Sequence, residues 1–298
     1  MRTFPEGGPD ASTRVALILG RPVAHSLSPL IHNAAFRVRD LNYTYAAANV
    51  AVDSLPAAVE GLRALGFVGA NVTVPHKQAV APLMDELSVQ AADIGAVNTI
   101  VIDRQGSRTV LKGDNTDVAG FCLPLDAIRE RLAGGAAVVL GAGGAARAVV
   151  YGLLARFSLS GVFVVNRTAE RSRRLVADLE RFAGTTLLSA PTPDEARRCV
   201  ADAALVVNAT TVGMYPDVGE TPWSEADLFN RNTVVYDLVY NPVRTRLLAE
   251  ARERGAFTID GTEMLLGQAA AAFEQWTGEP FPADAVRPIL LSRLEEGQ

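Results

Sequence analysis

The chain has 298 residues, 49% hydrophobic and 20% charged, which is the composition of a folded protein long enough for two domains and excludes a disordered or fibrous chain. A formal net charge of -5, with 28 Lys and Arg mixed among 33 Asp and Glu, leaves no basic footprint for nucleic acid and no polybasic membrane anchor, so small-molecule chemistry becomes the default. The only cysteines, Cys122 and Cys199, lie far apart and read as small core residues in a reducing cytoplasm rather than as a disulfide framework or a zinc site.

Residues 1 to 12, MRTFPEGGPDAS, lack the apolar core of a signal peptide and read as a loose tail. No apolar run approaches a membrane span, since RVALILG and GAAVVLG are bounded by Gly or charge. Short aliphatic runs predict strands at Val15 to Leu19, Tyr43 to Ala47, Gly69 to Thr73, Asn98 to Asp103 and Thr109 to Lys112. The same signal returns at Ala136 to Leu140, Val162 to Asn166, Leu205 to Asn208, Thr233 to Asp237 and Phe257 to Ile259. Helical patterns alternate with these runs, which predicts an α/β protein with mostly parallel sheets. A hairpin around Arg104 to Gly106 interrupts the rhythm, and after about Asp117 it becomes a regular β-α-β series, which places a domain boundary there.

After the first strand, GRPVAHSLSPLIHN spends two serines, two histidines and an asparagine on one turn. Ser28 before Pro29 reads as a helix start, with the hydroxyl at the N-cap and proline at the first helical position. Capping accounts for Ser28 and Pro29 and leaves His25, Ser26, His32 and Asn33 without a reason. His25 and His32 read as local hydrogen-bonding residues rather than ligands, and the other polar groups as braces of the turn.

Further polar clusters follow. GANVTVPHK carries Asn71, Thr73 and Lys77, GAVNT carries Asn98, GDNTD carries Asp114 and Asp117, and Gln268 lies in the long Ala-rich helix that begins at Gly261. Asn71 and Thr73 alternate along a strand and so share a face. Together these groups suit a polyol. Singly, each reads as a turn or cap residue. GDNTD lacks the ligand spacing and following glycine of a calcium loop, so no metal is expected.

The clearest signal is AAVVLGAGGAARAVVYGLL, an apolar strand running into Gly141, Gly143 and Gly144 and then into a helix. Glycines there permit a tight turn and let a diphosphate approach backbone N–H groups at the positive helix end. The next strand ends in Asn166-Arg167-Thr168, with Arg171 in the following helix, where a site for NAD would place an acid for the ribose hydroxyls. A cation near a helix N-terminus calls for an anion, and the 2′-phosphate of NADP supplies one. Arg173 and Arg174 read as a solvated face.

The ordered motifs GRPVAHSLSP, NVTVPHK, GAVNT, GDNTD, GAGGAAR, NRTAER, NATTVGM, DLVYNP and DGTEMLLGQ resemble those of the shikimate dehydrogenases over nearly the whole chain after the tail. The resemblance implies an N-terminal α/β substrate domain with a mixed sheet and a Rossmann-like NADP-binding domain, the last helix returning to the substrate domain. The boundaries would be 1–116 with 261–298 for the first and 117–260 for the second. It implies that Ser26, Ser28 and Tyr240 hold the substrate carboxylate, that Asn71, Thr73, Asn98, Asp117 and Gln268 hold ring hydroxyls, and that Lys77 and Asp117 are the catalytic pair. It further implies cofactor contacts at Gly141, Ala142, Gly143, Gly144, Ala145, Asn166, Arg167, Thr168, Arg171, Thr210, Leu238 and Gly261. Thr262 and Glu263 after Gly261, and Arg246 where proline often stands, depart from the commoner pattern and bear on substrate preference. His76 has no catalytic role in this reading.

The implied reaction is reversible, NADPH-dependent reduction of 3-dehydroshikimate to shikimate, a step of aromatic amino acid biosynthesis. Lys77 is the candidate for proton transfer; Asp117 would orient it and raise its pKa, while desolvation would lower it. Alternatives are oxidation of quinate or of an amino analogue of shikimate, a non-catalytic NADP-binding regulator, and, more weakly, a methyltransferase. Lys77 and Asp117 argue against the regulator, and the missing ribose acid against the methyltransferase. The expected partners are the small-molecule substrate and a second copy in a homodimer, with neither nucleic acid nor membrane.

Overall fold

A computed structural model describes residues 9–106 and 108–296, so most of the expected loose tail, residues 1–8, lies outside the described residues. The chain divides into two compact units, one reaching to Thr116 and resuming at Gln268, the other Asp117–Gly267.

The first unit is built on β1 (Arg14–Gly20), α1 (Ser28–Val38), β2 (Tyr43–Asn49), α2 (Leu55–Leu65), β3 (Gly69–Val72), β4 (Glu86–Leu87), α3 (Val89–Ile94), β5 (Thr99–Gln105) and β6 (Arg108–Asp114). Its six-stranded sheet runs β2-β1-β3-β5-β6-β4. β1 pairs parallel with β2 and β3, whereas β5 is antiparallel to β3 and β6, so the sheet is mixed and contains the expected hairpin. Leu17, Leu19, Val72, Ile100 and Leu111 of these strands pack with Leu55, Val59 and Leu62 of α2 in one apolar core.

The second unit holds α4 (Asp117–Asp126), α5 (Arg129–Leu132), β7 (Ala136–Leu140), α6 (Gly144–Arg156), β8 (Gly161–Val165), α7 (Ala169–Leu179), β9 (Leu187–Ser189), α8 (Pro193–Ala201), β10 (Ala203–Asn208), β11 (Val234–Asp237), α9 (Arg246–Glu253) and β12 (Phe257–Ile259). All its strands are parallel, in the order β12-β11-β10-β7-β8-β9. That is the doubly wound order in which the chain starts centrally, winds to one edge, then returns and winds to the other. Strands covered on both faces by helices read as continuous apolar runs, as AAVVL of β7 does.

Two helices close the chain, α10 (Gly261–Thr277) and α11 (Ala283–Glu296). α10 begins in the second unit and passes into the first at Gln268. Its C-terminal part is pinned to the first sheet: the Trp276 indole donates to Ile100 O at 3.1 Å, and Tyr43 donates to Trp276 O at 3.3 Å. α11 was not expected, because Pro288 interrupts its pattern, although Val286, Leu290 and Leu294 form a buried stripe at helical spacing. β4 and β9 were also unexpected; at two and three residues they are too short to show a period.

The turn before α1 differs from the sequence reading. Leu27, not Ser28, occupies the N-cap, and no side chain caps the helix. The Ser26 hydroxyl instead accepts from the backbone N–H of Ser28 at 3.3 Å, so the earlier serine makes the turn and Ser28 is the first helical residue. Thr168 occupies the N-cap of α7, without a side-chain capping bond.

Candidate active site

In the first unit, Gly20 closes β1 just before the serine turn, and a Cβ there would lie 2.4 Å from Thr73 Cγ2. Glycine thus lets Thr73, held by its N–H to Leu19 O at 2.9 Å, pack against the entry to the turn. α1 has a proline in its first turn and no acid there, which leaves the positive helix end beside Ser26 and Ser28 open to an anion.

Asn71, Asn98, Thr99 and Thr116 form one buried network. Asn71 Nδ2 reaches Asn98 O and Thr99 Oγ1, both at 3.2 Å, and Asn98 Oδ1 accepts from Thr116 N at 2.7 Å. Asn98 Nδ2 donates to Thr116 Oγ1 at 3.0 Å. Thr116 is thereby fixed, and with it the start of the peptide leading into Asp117, the buried first residue of α4. Lys77, partly buried, sits on the turn after β3, where its carbonyl accepts from Val97 N at 2.8 Å. Asp114, read from sequence as a turn residue, is an anchor: Ser88, the N-cap of α3, donates to one oxygen at 2.5 Å and Gln275 of α10 to the other at 2.7 Å. Gln275 stands two helical turns beyond Gln268, on the same face.

The histidines separate by environment. His25 is exposed, and His76 is buried with Nε2 2.9 Å from Val50 O. His32 does not form the local hydrogen bonds expected of it. Its ring stacks on Tyr45 at 4.5 Å and lies 5.2 Å from Trp276, and neither nitrogen finds a partner among the described residues. Desolvation there lowers its pKa from 6.5 to about 3, against a smaller opposing influence of the Asn71 side chain. Asn33 does brace the turn: it donates to Tyr45 O and accepts from Tyr45 N, each at 2.9 Å.

In the second unit the loops at the carboxyl ends of the strands are tied together. Gly141, at φ +116, donates to Val165 O at 2.7 Å, and a Cβ on it would come within 3.0 Å of Ala209 O and of Thr210 Cγ2. Leu238 N reaches Asn208 O at 3.0 Å, and a Cβ on Gly261 would lie 2.5 Å from Leu238 O. Gly141, Thr210, Leu238 and Gly261 therefore gather along one sheet edge, at the point where β7 and β10 lead in opposite directions. Asp237, which the sequence reading passed over, organises that edge by accepting from Asn208 Nδ2 at 2.8 Å, Val239 N at 3.0 Å and Thr245 Oγ1 at 2.7 Å. Burial raises its pKa from 3.8 to about 6, against those three donors.

The same edge fits a dinucleotide with a 2′-phosphate. α6 starts after Gly143 with no acid in its first turn, and the position of a Cβ on Gly143 faces open space. Asn166 Nδ2 donates to Thr168 O at 3.0 Å and shapes the turn after β8. Arg167 and Arg171 are exposed and carry no ion pair among the described residues, while the first-turn acid of α7, Glu170, pairs with Arg173 at 3.3 Å. Ala142, Ala145 and Thr168 lie on the same two turns. Tyr240 lies past β11, partly buried, and burial raises its pKa. Among the described residues no group of three or more His, Cys, Asp or Glu gathers as a metal site, and no helix is long and apolar enough to cross a membrane.

His32 and Asp237 give opposite pH dependences. The folded pKa of His32 lies below its unfolded value, so its contribution to stability is present above 6.5 and is lost as pH falls toward about 3. The folded pKa of Asp237 lies above its unfolded value, so its contribution is present below 3.8 and is lost as pH rises through about 6. Urea unfolding between pH 4 and 7 should show His32→Phe losing destabilisation on the acid side and Asp237→Asn losing it on the neutral side. At about 1.36 kcal/mol per pKa unit the effects reach a few kcal/mol. Unchanged slopes in both variants would refute these environments.

Known proteins place this geometry in a family. Residues 18–100 match the model of the shikimate dehydrogenase substrate binding domain, and residues 261–291 that of the shikimate 5′-dehydrogenase C-terminal domain. A shikimate dehydrogenase (NADP(+)) of Salinibacter ruber is 50% identical over 283 residues, covering 94% of this chain and 98% of that protein. A shikimate dehydrogenase solved in complex with NADP+ superposes with a TM-score of 0.87 at 36% identity, covering 96% of this chain and 97% of the other. A quinate dehydrogenase of Corynebacterium glutamicum, solved with NAD, gives 0.85 at 32% identity, covering 94% and 99%. With half its residues shared with one such enzyme along nearly the whole of both chains, and with the ordered motifs folded into a mixed-sheet unit and a doubly wound unit, the chain belongs to the shikimate dehydrogenase family.

Proposed function

We propose that the chain catalyses reversible reduction of 3-dehydroshikimate to shikimate with NADPH, a step of aromatic amino acid biosynthesis. The observation that carries this reading is the pair Arg167 and Arg171, exposed and without ion pairs among the described residues beside a glycine turn, in a chain half identical to an NADP-dependent relative. NADP, when bound, exchanges a hydride with the secondary alcohol carbon of the substrate. The first unit, up to Thr116 and from Gln268 on rather than from the expected Gly261, would serve the substrate and the second the cofactor.

In this reading Ser26 and Ser28 donate to the substrate carboxylate at the start of α1, with Tyr240 assisting. Asn71, Thr73, Asn98, Asp117 and Gln268 take the ring hydroxyls. Lys77 gives a proton to the nascent alkoxide oxygen during reduction and recovers it during oxidation, and Asp117 orients it. Gly141 to Ala145, Asn166 to Thr168, Arg171, Thr210, Leu238 and Gly261 hold the dinucleotide. The two free cysteines fit a cytoplasmic location.

Quinate is the second reading, favoured by the quinate dehydrogenase neighbour. A spectrophotometric screen of shikimate and quinate against NADP and NAD decides between them. Turnover of shikimate with NADP should exceed the other three pairs, and faster turnover of quinate with NAD would reverse the assignment.

The serine turn gives a separate prediction. Ser26→Ala and Ser28→Ala should each weaken the bound acid by roughly 1.5 to 3 kcal/mol through a lost charge-assisted hydrogen bond. Because Ser26 and not Ser28 accepts a backbone N–H in the turn, Ser26→Ala should also melt lower, by roughly 0.5 to 1.5 kcal/mol. Titrations with shikimate and its carboxamide, alongside thermal melts, test both points. Equal losses for acid and amide would remove the carboxylate from this turn.

A further inference from the structure

The buried network leaves Asn71 with one hydrogen-bonding capacity, and the direction of each bond can be worked out. Asn98 O is a backbone carbonyl and can only accept, so the group 3.2 Å from it must be the Asn71 amide nitrogen. The second N–H of that nitrogen goes to Thr99 Oγ1, also at 3.2 Å. Asn71 Oδ1 therefore faces the other way, where Tyr45 Oη lies at 2.7 Å, and the phenol must be the donor. Both amide hydrogens are thus taken within the protein, and what remains is the second lone pair of Oδ1.

Tyr45 is itself held on every side. It is 3% exposed, its ring stacks on His32 with an interplanar angle of 14°, and Asn33 pairs with both its backbone polar groups. Ser28 of α1 approaches the same phenol, and desolvation keeps the phenol protonated by raising its pKa well above the ordinary value. The polar and aromatic residues of SPLIHN that do not face the serine turn converge on this one tyrosine.

We propose that Tyr45 is a positioning residue for substrate recognition: its phenol fixes the Asn71 amide so that Asn71 presents only an acceptor, which takes a hydroxyl of the substrate and rejects a carbonyl or carboxylate oxygen. This rests on the reading of Asn71 as a ligand of a substrate hydroxyl. Tyr45 acts through Asn71.

The test is a double-substitution cycle of Tyr45→Phe and Asn71→Ala, read as KM for shikimate, KM for NADP and kcat, with thermal melts. Phe keeps the ring and its stack but removes the donor. Tyr45→Phe should raise the shikimate KM about 10-fold, the scale of one lost hydrogen bond, with kcat and the NADP KM within about 2-fold. In the Asn71→Ala background it should change nothing further, because the group it positions is gone. Tyr45→4-aminophenylalanine, which restores a donor at that place, should recover the unmodified KM. If Asn71→Ala leaves the shikimate KM unchanged, the reading of Asn71 fails and the proposal falls with it. If Asn71→Ala raises the KM and Tyr45→Phe does not, the proposal alone is overturned. Additive effects would mean that Tyr45 works independently of Asn71, and a Tyr45→Phe chain that does not fold, or a KM that the amino variant does not recover, would assign the phenol a purely structural role; each overturns it.

Discussion

Replacing Lys77 with methionine should lower kcat for shikimate oxidation by roughly two to four orders of magnitude, the usual loss when a positioned proton carrier is removed. The backbone at Lys77 is fixed independently of its side chain, since its carbonyl accepts from Val97 N at 2.8 Å and the preceding His76 is buried with Nε2 2.9 Å from Val50 O. Methionine of similar length can therefore follow the same path without moving Asn98, the next residue after Val97. KM for shikimate should change much less than kcat, because the deleted interaction matters chiefly in the transition state. Steady-state rates over a range of pH, with a thermal melt to confirm the fold, provide the measurement. A variant that turns over at a near-normal rate would exclude Lys77 from proton transfer and leave the ammonium with a binding role only.

The second large effect concerns the cofactor. Arg167 and Arg171 are exposed beside the turn after β8, and the one acid in the first turn of α7 is paired elsewhere, with Arg173. A charge-assisted hydrogen bond from each guanidinium to a 2′-phosphate contributes roughly 1.5 to 3 kcal/mol. At about 1.4 kcal/mol per decade, the pair gives a preference for NADP over NAD of about two to four orders of magnitude in kcat/KM. Arg167→Ala should remove about half of that in logarithmic terms, mostly by raising the KM for NADP and hardly altering that for NAD. Because both cations are solvent-exposed, the preference should shrink with added salt. Equal use of the two dinucleotides by the unmodified chain would sink the assignment.

Much of this was legible in the sequence because it depends on local rules. The doubly wound unit announces itself through buried parallel strands that read as unbroken apolar runs, and Gly141 through a backbone conformation, φ +116, that other residues rarely adopt. The hairpin of β5 and β6 and the long helix α10 were readable for the same reason: a period or a turn is written within a few neighbouring residues. The serine turn was found, but which serine caps it was not. Ser28 before Pro29 has the right residue types for a cap, yet the first helical turn is set by where the chain leaves β1, and that shift of one residue gives the turn-forming bond to Ser26. α11 was hidden by Pro288, whose cost a packed helix can absorb once Val286, Leu290 and Leu294 are buried.

The sequence by itself determined the α/β class, the glycine turn, the paired arginines and the motifs that mark the family, since each follows from residue type at short spacing. Only the tertiary structure decided what the other polar residues do. His32 could be read as a hydrogen-bonding residue until Tyr45 of the next strand and Trp276, far away in the chain, enclosed it and made a charge on its ring costly. Asp114 looked like a turn residue until Ser88 and Gln275 converged on its two oxygens. Asp237 drew no notice until Asn208 of the neighbouring strand joined Val239 and Thr245 in donating to it. The direction of the Asn71 amide depends on the carbonyl of Asn98, just before β5, and a phenol of β2. A hydrogen bond between residues distant in sequence has no periodic signature; its energy comes from burial and from partners that only the folded chain brings within reach.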